Sequence, residues 1–188
     1  MCGRLNVIDD PLCGWVRDQL GISFHTVTNC DLRPTQMVST IGMTSNGLYQ
    51  IDCSWGIKPE WSKQLLINAK AETVREKKTF ASAFKHHRVL VPCSGWYEWH
   101  QEEGHKQKYA FGLPSGEPVL MAGILFPSER GQQLVTLTTA PTEQAAQYHS
   151  RMPLLVSPND VDFWFNFAPE ALDPLLHAPE LNLQIDAV

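Results

Sequence analysis

Arg88-Val89-Leu90-Val91-Pro92-Cys93-Ser94-Gly95-Trp96-Tyr97-Glu98-Trp99-His100 is the stretch on which the fold turns. Two runs rich in β-branched and aromatic residues, 88–92 and 96–100, are parted by the turn-forming Ser94-Gly95, the pattern of two strands with a break between them. Side chains alternate along a strand, so Trp96, Glu98 and His100 face one way while Tyr97 and Trp99 face the other. A carboxylate set among aromatics is a costly place for a charge and invites a raised pKa and proton transfer. The plain alternative is a Glu on the solvent face of an edge strand, and spacing alone leaves both open.

Outward from this stretch the same strand signal recurs at 37–43, 48–55, 109–113, 119–126 and 134–139, divided by Gly, Pro and Ser. Residues 10–21 read as a short helix, with Asp10 as N-cap, Pro11 in the first turn, Leu12, Trp15, Val16 and Leu20 on one face and Gly21 as the stop. Further short helices are expected at 79–87, 142–148, 158–165 and 169–176. Strands dominate and do not alternate regularly with helices, which makes the fold class α+β rather than a doubly wound sheet.

The chain has 188 residues, 43% hydrophobic and 19% charged, the composition of a soluble globular protein and the length of a single domain, expected to span 1–188. No apolar run reaches the ~18 residues of a membrane span, and Asp9 and Asp10 replace the basic start of a signal peptide, so the expected address is cytoplasmic. Five cysteines without a CxxC pair indicate neither a disulfide framework nor a zinc knuckle, and nothing points to a metal or organic cofactor. The net charge of −5 argues against a protein that coats nucleic acid by bulk charge. It is unevenly spread, however: residues 58–108 hold ten basic and six acidic side chains, whereas 109–188 hold two and nine. On charge alone the basic segment reads as a solvated surface.

Three further clusters carry candidate chemistry. In Met1-Cys2-Gly3-Arg4, removal of Met1 leaves Cys2 with a free α-amine beside its thiol. Such an aminothiol condenses with an aldehyde to a Schiff base and closes a thiazolidine ring, while Arg4 offers a fork suited to phosphate. In Asn68-Ala69-Lys70-Ala71-Glu72-Thr73, Asn68 has both donor and acceptor and Lys70 is a point charge for phosphate. Nearby Trp55 and Trp61, interleaved with lysines, have the composition of a single-strand binding groove, although each alone reads as a core residue. In Tyr148-His149-Ser150-Arg151-Met152-Pro153, His149 is suited to proton transfer at neutral pH and Arg151 to a bidentate phosphate contact, against the plain reading of a polar surface loop.

Taken together and in order, MCGR, WG-x-x-P-x-W, NA-K-x-ET, VPC-x-GWYEW, a Thr-Thr-Ala segment and H-x-RMP resemble the SRAP family of SOS-response-associated peptidases, also called abasic-site processing proteins. The resemblance runs from Met1 to about Trp164. It implies a mixed, mostly antiparallel, barrel-like sheet with short flanking helices. It also implies capture of abasic sites in single-stranded DNA through a thiazolidine made by Cys2. Carried over by motif, Asn68 positions the reacting groups, Glu98 is the acid/base and His149 assists sugar ring opening. Arg4, Lys70 and Arg151 fall where the family holds phosphates, Trp61 and Trp99 where it stacks on or wedges apart bases, and Thr138 at a polar DNA contact. Lys70 stands where the family has Arg, which keeps the charge and loses the fork. The chain also ends early for the family, which implies that no C-terminal regulatory tail follows.

The resemblance further implies lyase chemistry from the Schiff base and self-catalysed release of Met1. Single-stranded DNA bearing abasic sites is the expected partner, 3′-junction or replication-fork DNA a further candidate, a membrane is not, and a monomer is expected. Two other classes stay open: a non-covalent single-strand-binding module, and an N-terminal-nucleophile amidohydrolase, since class II glutamine amidotransferases also begin Met-Cys-Gly.

Overall fold

The computed structural model describes residues 3–188. In chain order the elements are β1 (Leu5–Val7), α1 (Asp9–Leu20), β2 (Asn29–Leu32), β3 (Met37–Thr44), β4 (Gly47–Trp55), β5 (Asn68–Lys70), α2 (Ala81–His86), β6 (Arg88–Cys93), β7 (Gly95–Glu102), β8 (His105–Gly112), β9 (Val119–Ser128), β10 (Gly131–Thr139), α3 (Glu143–Ala146), β11 (Met152–Pro153), α4 (Val161–Asn166) and β12 (Gln184–Ala187). Single 3-10 turns occupy Ala71–Thr73, Pro158–Asp160, Pro169–Ala171 and Asp173–Leu175. Every strand expected from the sequence forms, and the pattern is α+β as read.

Five strands close into a barrel. From β10 the order runs through β4, β3, β6 and β9, and β9 pairs back onto β10. The sheet is mixed because β10 runs parallel to β4, while the remaining pairs of the ring are antiparallel. Short β5 adds to β10 in parallel beyond the end of β4, matching Thr136 with Asn68 and Thr138 with Lys70. A second, wholly antiparallel sheet has the order β12-β8-β7-β1-β2.

The barrel's outer wall at β6 and β9 is roofed by α2 and α4. Val119 to Leu125 are buried at every successive position, as a strand covered on both faces must be. Trp164 of α4 is fully buried, sits edge-on to Phe84 of α2 at 5.9 Å and donates its indole N–H to the Val89 carbonyl at 3.3 Å. Burying a side chain of this size contributes roughly 1.5–3 kcal/mol. Arg88, counted at sequence level with the basic segment, instead turns inward here. Its guanidinium donates to the carbonyls of Phe84, Trp164, Phe165 and Phe167 at 2.7–3.1 Å.

Asp10 has extended backbone angles, so the regular helix begins at Pro11, and it stops at Gly21, whose φ of 70° lets its N–H return to the Arg17 carbonyl. Leu12 and Val16 are its buried residues.

The opening stretch of sequence holds the fold's main joint. β6 belongs to the barrel, β7 to the second sheet, and Ser94 is the one residue between them. Ser94 is pinned by its N–H to the Asn6 carbonyl at 2.8 Å and by its Oγ, which accepts from the Ile8 N–H at 3.0 Å. Gly95 is required because a Cβ there would lie 2.2 Å from the Phe111 carbonyl oxygen of β8.

Candidate functional site

Pairing of β1 with β7 sets Leu5 opposite Trp96, and the Tyr97 N–H donates to the Arg4 carbonyl at 3.1 Å. Arg4, the last residue of the MCGR motif, is thereby brought against the WYEW motif, although the two lie some ninety residues apart. Cys2 itself lies outside the described residues.

Alternation along β7 follows the sequence reading. On one face Trp96 stacks on Phe111 at 5.2 Å, and Tyr148 lies against His100, Tyr109 and Phe111. Glu98, opposite Tyr109 on this face, is 3% exposed, and burial pushes its carboxyl up to about 7 from an ordinary 4.5. The edge-strand alternative for this residue is thereby excluded. Tyr109 donates its hydroxyl to Glu102, and that bond is the main reason its own pKa is pushed up to about 12.

The same face reaches the third motif. His100 Nδ1 lies 3.0 Å from the Tyr148 carbonyl, and the next residue is His149. The Arg151 N–H donates to His149 Nδ1 at 3.0 Å, and the Arg151 carbonyl oxygen is 3.1 Å from the same nitrogen. Burial holds the His149 pKa below its ordinary 6.5. Environment therefore moves the two groups in opposite directions: near neutral pH the carboxyl keeps a proton and the imidazole gives one up.

Arg151 then connects this turn to β10 and to the second motif. Its guanidinium meets the Glu72 carboxylate in a two-point pair at 2.7 and 2.8 Å and donates to the Thr138 carbonyl at 2.7 Å. Asn68 sits on β5 beside Thr136, whose hydroxyl donates to Asn68 Oδ1 at 2.6 Å. The same hydroxyl lies 3.1 Å from the Ile67 carbonyl, so Thr136 holds both the amide and the chain entering β5. Glu98, His149 and Asn68 are thus joined through His100, Tyr148, Arg151 and β10.

The opposite face of β7 is cationic. Lys108 Nζ lies 3.8 Å from the centre of the Tyr97 ring and 5.8 Å from that of Trp99, and the Arg4 guanidinium is 5.4 Å from the Trp99 ring. Arg4 and Arg33 share Asp31 at 2.5 Å each. Trp99 is half-buried beneath these cations, whereas Trp61 is 69% exposed and Lys70 is also exposed. Trp55, by contrast, is fully buried core, its indole N–H on the Ile67 carbonyl.

Thr138 occupies a different place from the surface contact expected of it. It is 1% exposed, and its hydroxyl faces the Arg151 guanidinium and the Ala69 carbonyl. The reason is its position inside β10, flanked by β5 and β11.

The sequence motifs include Glu72 and Tyr148 without a role for either, and Glu102 lies outside them. The signal for Glu72 is its place four residues after Asn68, in a motif that also holds Lys70 and Thr73. Of the thiols in the described residues, Cys53 and Cys93 are buried and pushed up to about 12, which makes them unreactive. Among the described residues no three or more His, Cys, Asp or Glu side chains are gathered as metal ligands, and no helix is long and apolar enough to cross a membrane.

Comparison with known proteins gives the following likenesses. The family profile described as SOS response associated peptidase (SRAP) matches residues 1–188. The abasic site processing protein YedK of Escherichia coli is 34% identical over 115 residues, covering 58% of this chain and 52% of that protein's length. The abasic site processing protein YoqW of Bacillus subtilis is 28% identical over 188 residues, covering 93% and 83%. A crystal structure of a Bordetella bronchiseptica protein superposes with a TM-score of 0.83 at 19% identity, covering 100% of this chain and 99% of that one.

Proposed function

The chain belongs to the SRAP family, and we propose that it processes abasic sites in single-stranded DNA by forming a covalent thiazolidine link through Cys2 after Met1 is removed. The observation that carries this reading is the buried Glu98 carboxyl, pushed up to about 7, on the strand that binds the Arg4 backbone. A carboxyl poised near neutrality beside the start of the chain is suited to proton transfers for an amine.

The chemistry runs as follows. An abasic sugar is mostly a closed hemiacetal; a proton delivered to its ring oxygen, with loss of the hydroxyl proton, exposes the aldehyde. His149 serves this step. The Cys2 amine adds to the carbonyl carbon, and Glu98 in its acid form protonates the departing hydroxyl so that water leaves and the imine forms. The Cys2 thiolate then adds to the imine carbon while the nitrogen takes a proton, closing the five-membered ring. Asn68 positions the reacting groups through the amide that Thr136 orients.

The imine also acidifies the neighbouring sugar carbon, which opens β-elimination of the 3′ phosphate and hence lyase activity. Ring closure diverts the intermediate into a durable crosslink. Release of Met1 by the same groups would be its one peptidase activity. Arg4, Lys70 and Arg151 supply positive charge for the strand, while Trp61 and Trp99 supply aromatic surface for bases flanking the lesion; Thr138 contributes from behind Arg151. A 3′-junction is a further substrate, and the protein acts as a monomer in the cytoplasm.

The deciding experiment incubates Met-free protein with single-stranded DNA bearing one abasic site. A heat-stable, gel-shifted adduct is expected, and Cys2→Ser should bind the DNA yet fail to keep the adduct. Binding without any adduct from the wild type would leave a non-covalent single-strand-binding module in its place, with salt-sensitive affinity only.

A further inference from the structure

The turn that carries His149 is fastened from its far side. Four contacts engage one guanidinium: Arg151 Nη1 with Glu72 Oε1, and Nη2 with Glu72 Oε2, the Thr138 carbonyl and, at 3.3 Å, the Thr138 hydroxyl. The Arg151 side chain is 16% exposed, so little of its fork is presented to a phosphate. Glu72 is fixed in turn, accepting the Ala140 N–H at 3.2 Å.

The Arg151 peptide supplies what an imidazole needs in either state. With Nδ1 bare, the Arg151 N–H at 3.0 Å donates to it and Nε2 carries the hydrogen. With Nδ1 protonated, the Arg151 carbonyl at 3.1 Å accepts from it, and Nε2 becomes the nitrogen that gives up or takes a proton. One residue thus serves as donor and acceptor to one ring nitrogen.

We propose that Glu72 and Thr138 are positioning residues for His149: by gripping the Arg151 guanidinium they hold the Arg151 peptide where it serves His149 Nδ1 in both protonation states. The assignment rests on the proposed role of His149 in ring opening, where the proton leaving Nε2 goes to the sugar oxygen. Other titratable groups that reach this turn are His100 of β7 and Tyr109 of β8, with Glu98 on the same face of β7; Glu72 faces it from the 3-10 turn at Ala71–Thr73.

The test is nitrogen-15 NMR of the histidine side chains of the full chain from about pH 5 to 8, the range over which imidazole titrates, joined to adduct kinetics. In the wild type, His149 should titrate below the ordinary 6.5. In Glu72→Gln its midpoint should move further down, because the Arg151 carbonyl that accepts from protonated Nδ1 is no longer held in place, and the two tautomers should mix. Adduct formation should slow roughly tenfold, with affinity for a lesion-free single strand retained. Arg151→Lys, which keeps the charge and loses the fork, should shift the His149 midpoint and mix its tautomers as Glu72→Gln does. Thr138→Val, which spares the carbonyl contact, should shift His149 less and in the same direction.

A Glu72→Gln spectrum of His149 that superimposes on the wild type would overturn the assignment. So would weakened binding with a shallower salt dependence in Arg151→Lys and an unmoved His149, since that outcome makes Arg151 a phosphate contact. Should the wild type form no adduct at all, the proposed function falls, while the nitrogen shifts still decide whether Glu72 governs His149.

Discussion

His100 Nδ1 lies 3.0 Å from the Tyr148 carbonyl oxygen, so the strand that carries Glu98 also holds, by its next side chain on that face, the turn that carries His149. Removing this bond in His100→Ala should cost about 1 kcal/mol of stability by denaturant unfolding. Adduct formation should slow by more than DNA affinity falls. Equal losses in rate and affinity would mean that the bond only supports the fold.

Glu98 makes stability and rate depend on pH in a defined direction. Its folded-state pKa is raised, from 4.5 to about 7, so the folded chain holds this proton more tightly than the unfolded one. Stability from this group is fully present below about 4.5 and is lost as pH rises to 7 and beyond. Glu98→Gln should therefore be more stable than wild type at pH 8, by at most about 3 kcal/mol, and the difference should vanish in acid. If the acid form protonates the departing hydroxyl, the wild-type adduct rate should fall as pH rises through 7, and the variant should lose that limb.

Arg88 should prove structural. Arg88→Met leaves the carbonyls of Phe84, Trp164, Phe165 and Phe167 without their shared donor. A loss of ~3 kcal/mol is expected by thermal or denaturant unfolding. At temperatures where the variant stays folded, its affinity for a single strand should match the wild type. A large affinity loss would return Arg88 to the DNA-binding surface.

Gly95→Ala should be poorly tolerated, since its Cβ would meet the Phe111 carbonyl oxygen. Forcing β7 away from β8 should cost about 1–3 kcal/mol and disturb the Glu98 environment, read as a lowered midpoint of the pH–rate limb. An unchanged melting temperature would show that the two strands part without cost.

The long strands were legible because alternation or continuous apolar runs extend over enough residues to be distinctive, as in Val119–Ser128. β1, β2, β5, β11 and β12 were not, for they are two to four residues long and take their pairing from neighbours far along the chain. The barrel came from the family resemblance and not from the strand pattern: β10 pairs with β4 over its first half and with β5 over its second, a division of register that no periodicity in 131–139 records. The helix expected at 169–176 resolves into two 3-10 turns, Pro169–Ala171 and Asp173–Leu175, broken at the second proline.

At the site, residue types were legible and their partners were not. The MCGR, YEW and HxRMP motifs marked Arg4, Glu98 and His149, and alternation placed Glu98 on the Trp96 side of its strand. The burial that raises the Glu98 pKa depends on Tyr148, fifty residues away, packing across that face. Arg151 looked free to grip phosphate because its carboxylate partner, Glu72, lies seventy-nine positions earlier.

Ser94 gives the site a rigid wall. A single residue between two strands spans at most ~3.6 Å, so any displacement of Glu98 along β7 is passed directly to β6 and the barrel wall instead of being taken up by slack. Trp61 stands apart from this brace, lifted into solvent by the 58–65 loop between the paired residues Ile57 and Leu66. Under the proposed function, work done on the lesion is braced against the barrel, and a glycine inserted beside Ser94 should loosen that brace while leaving every named side chain in place.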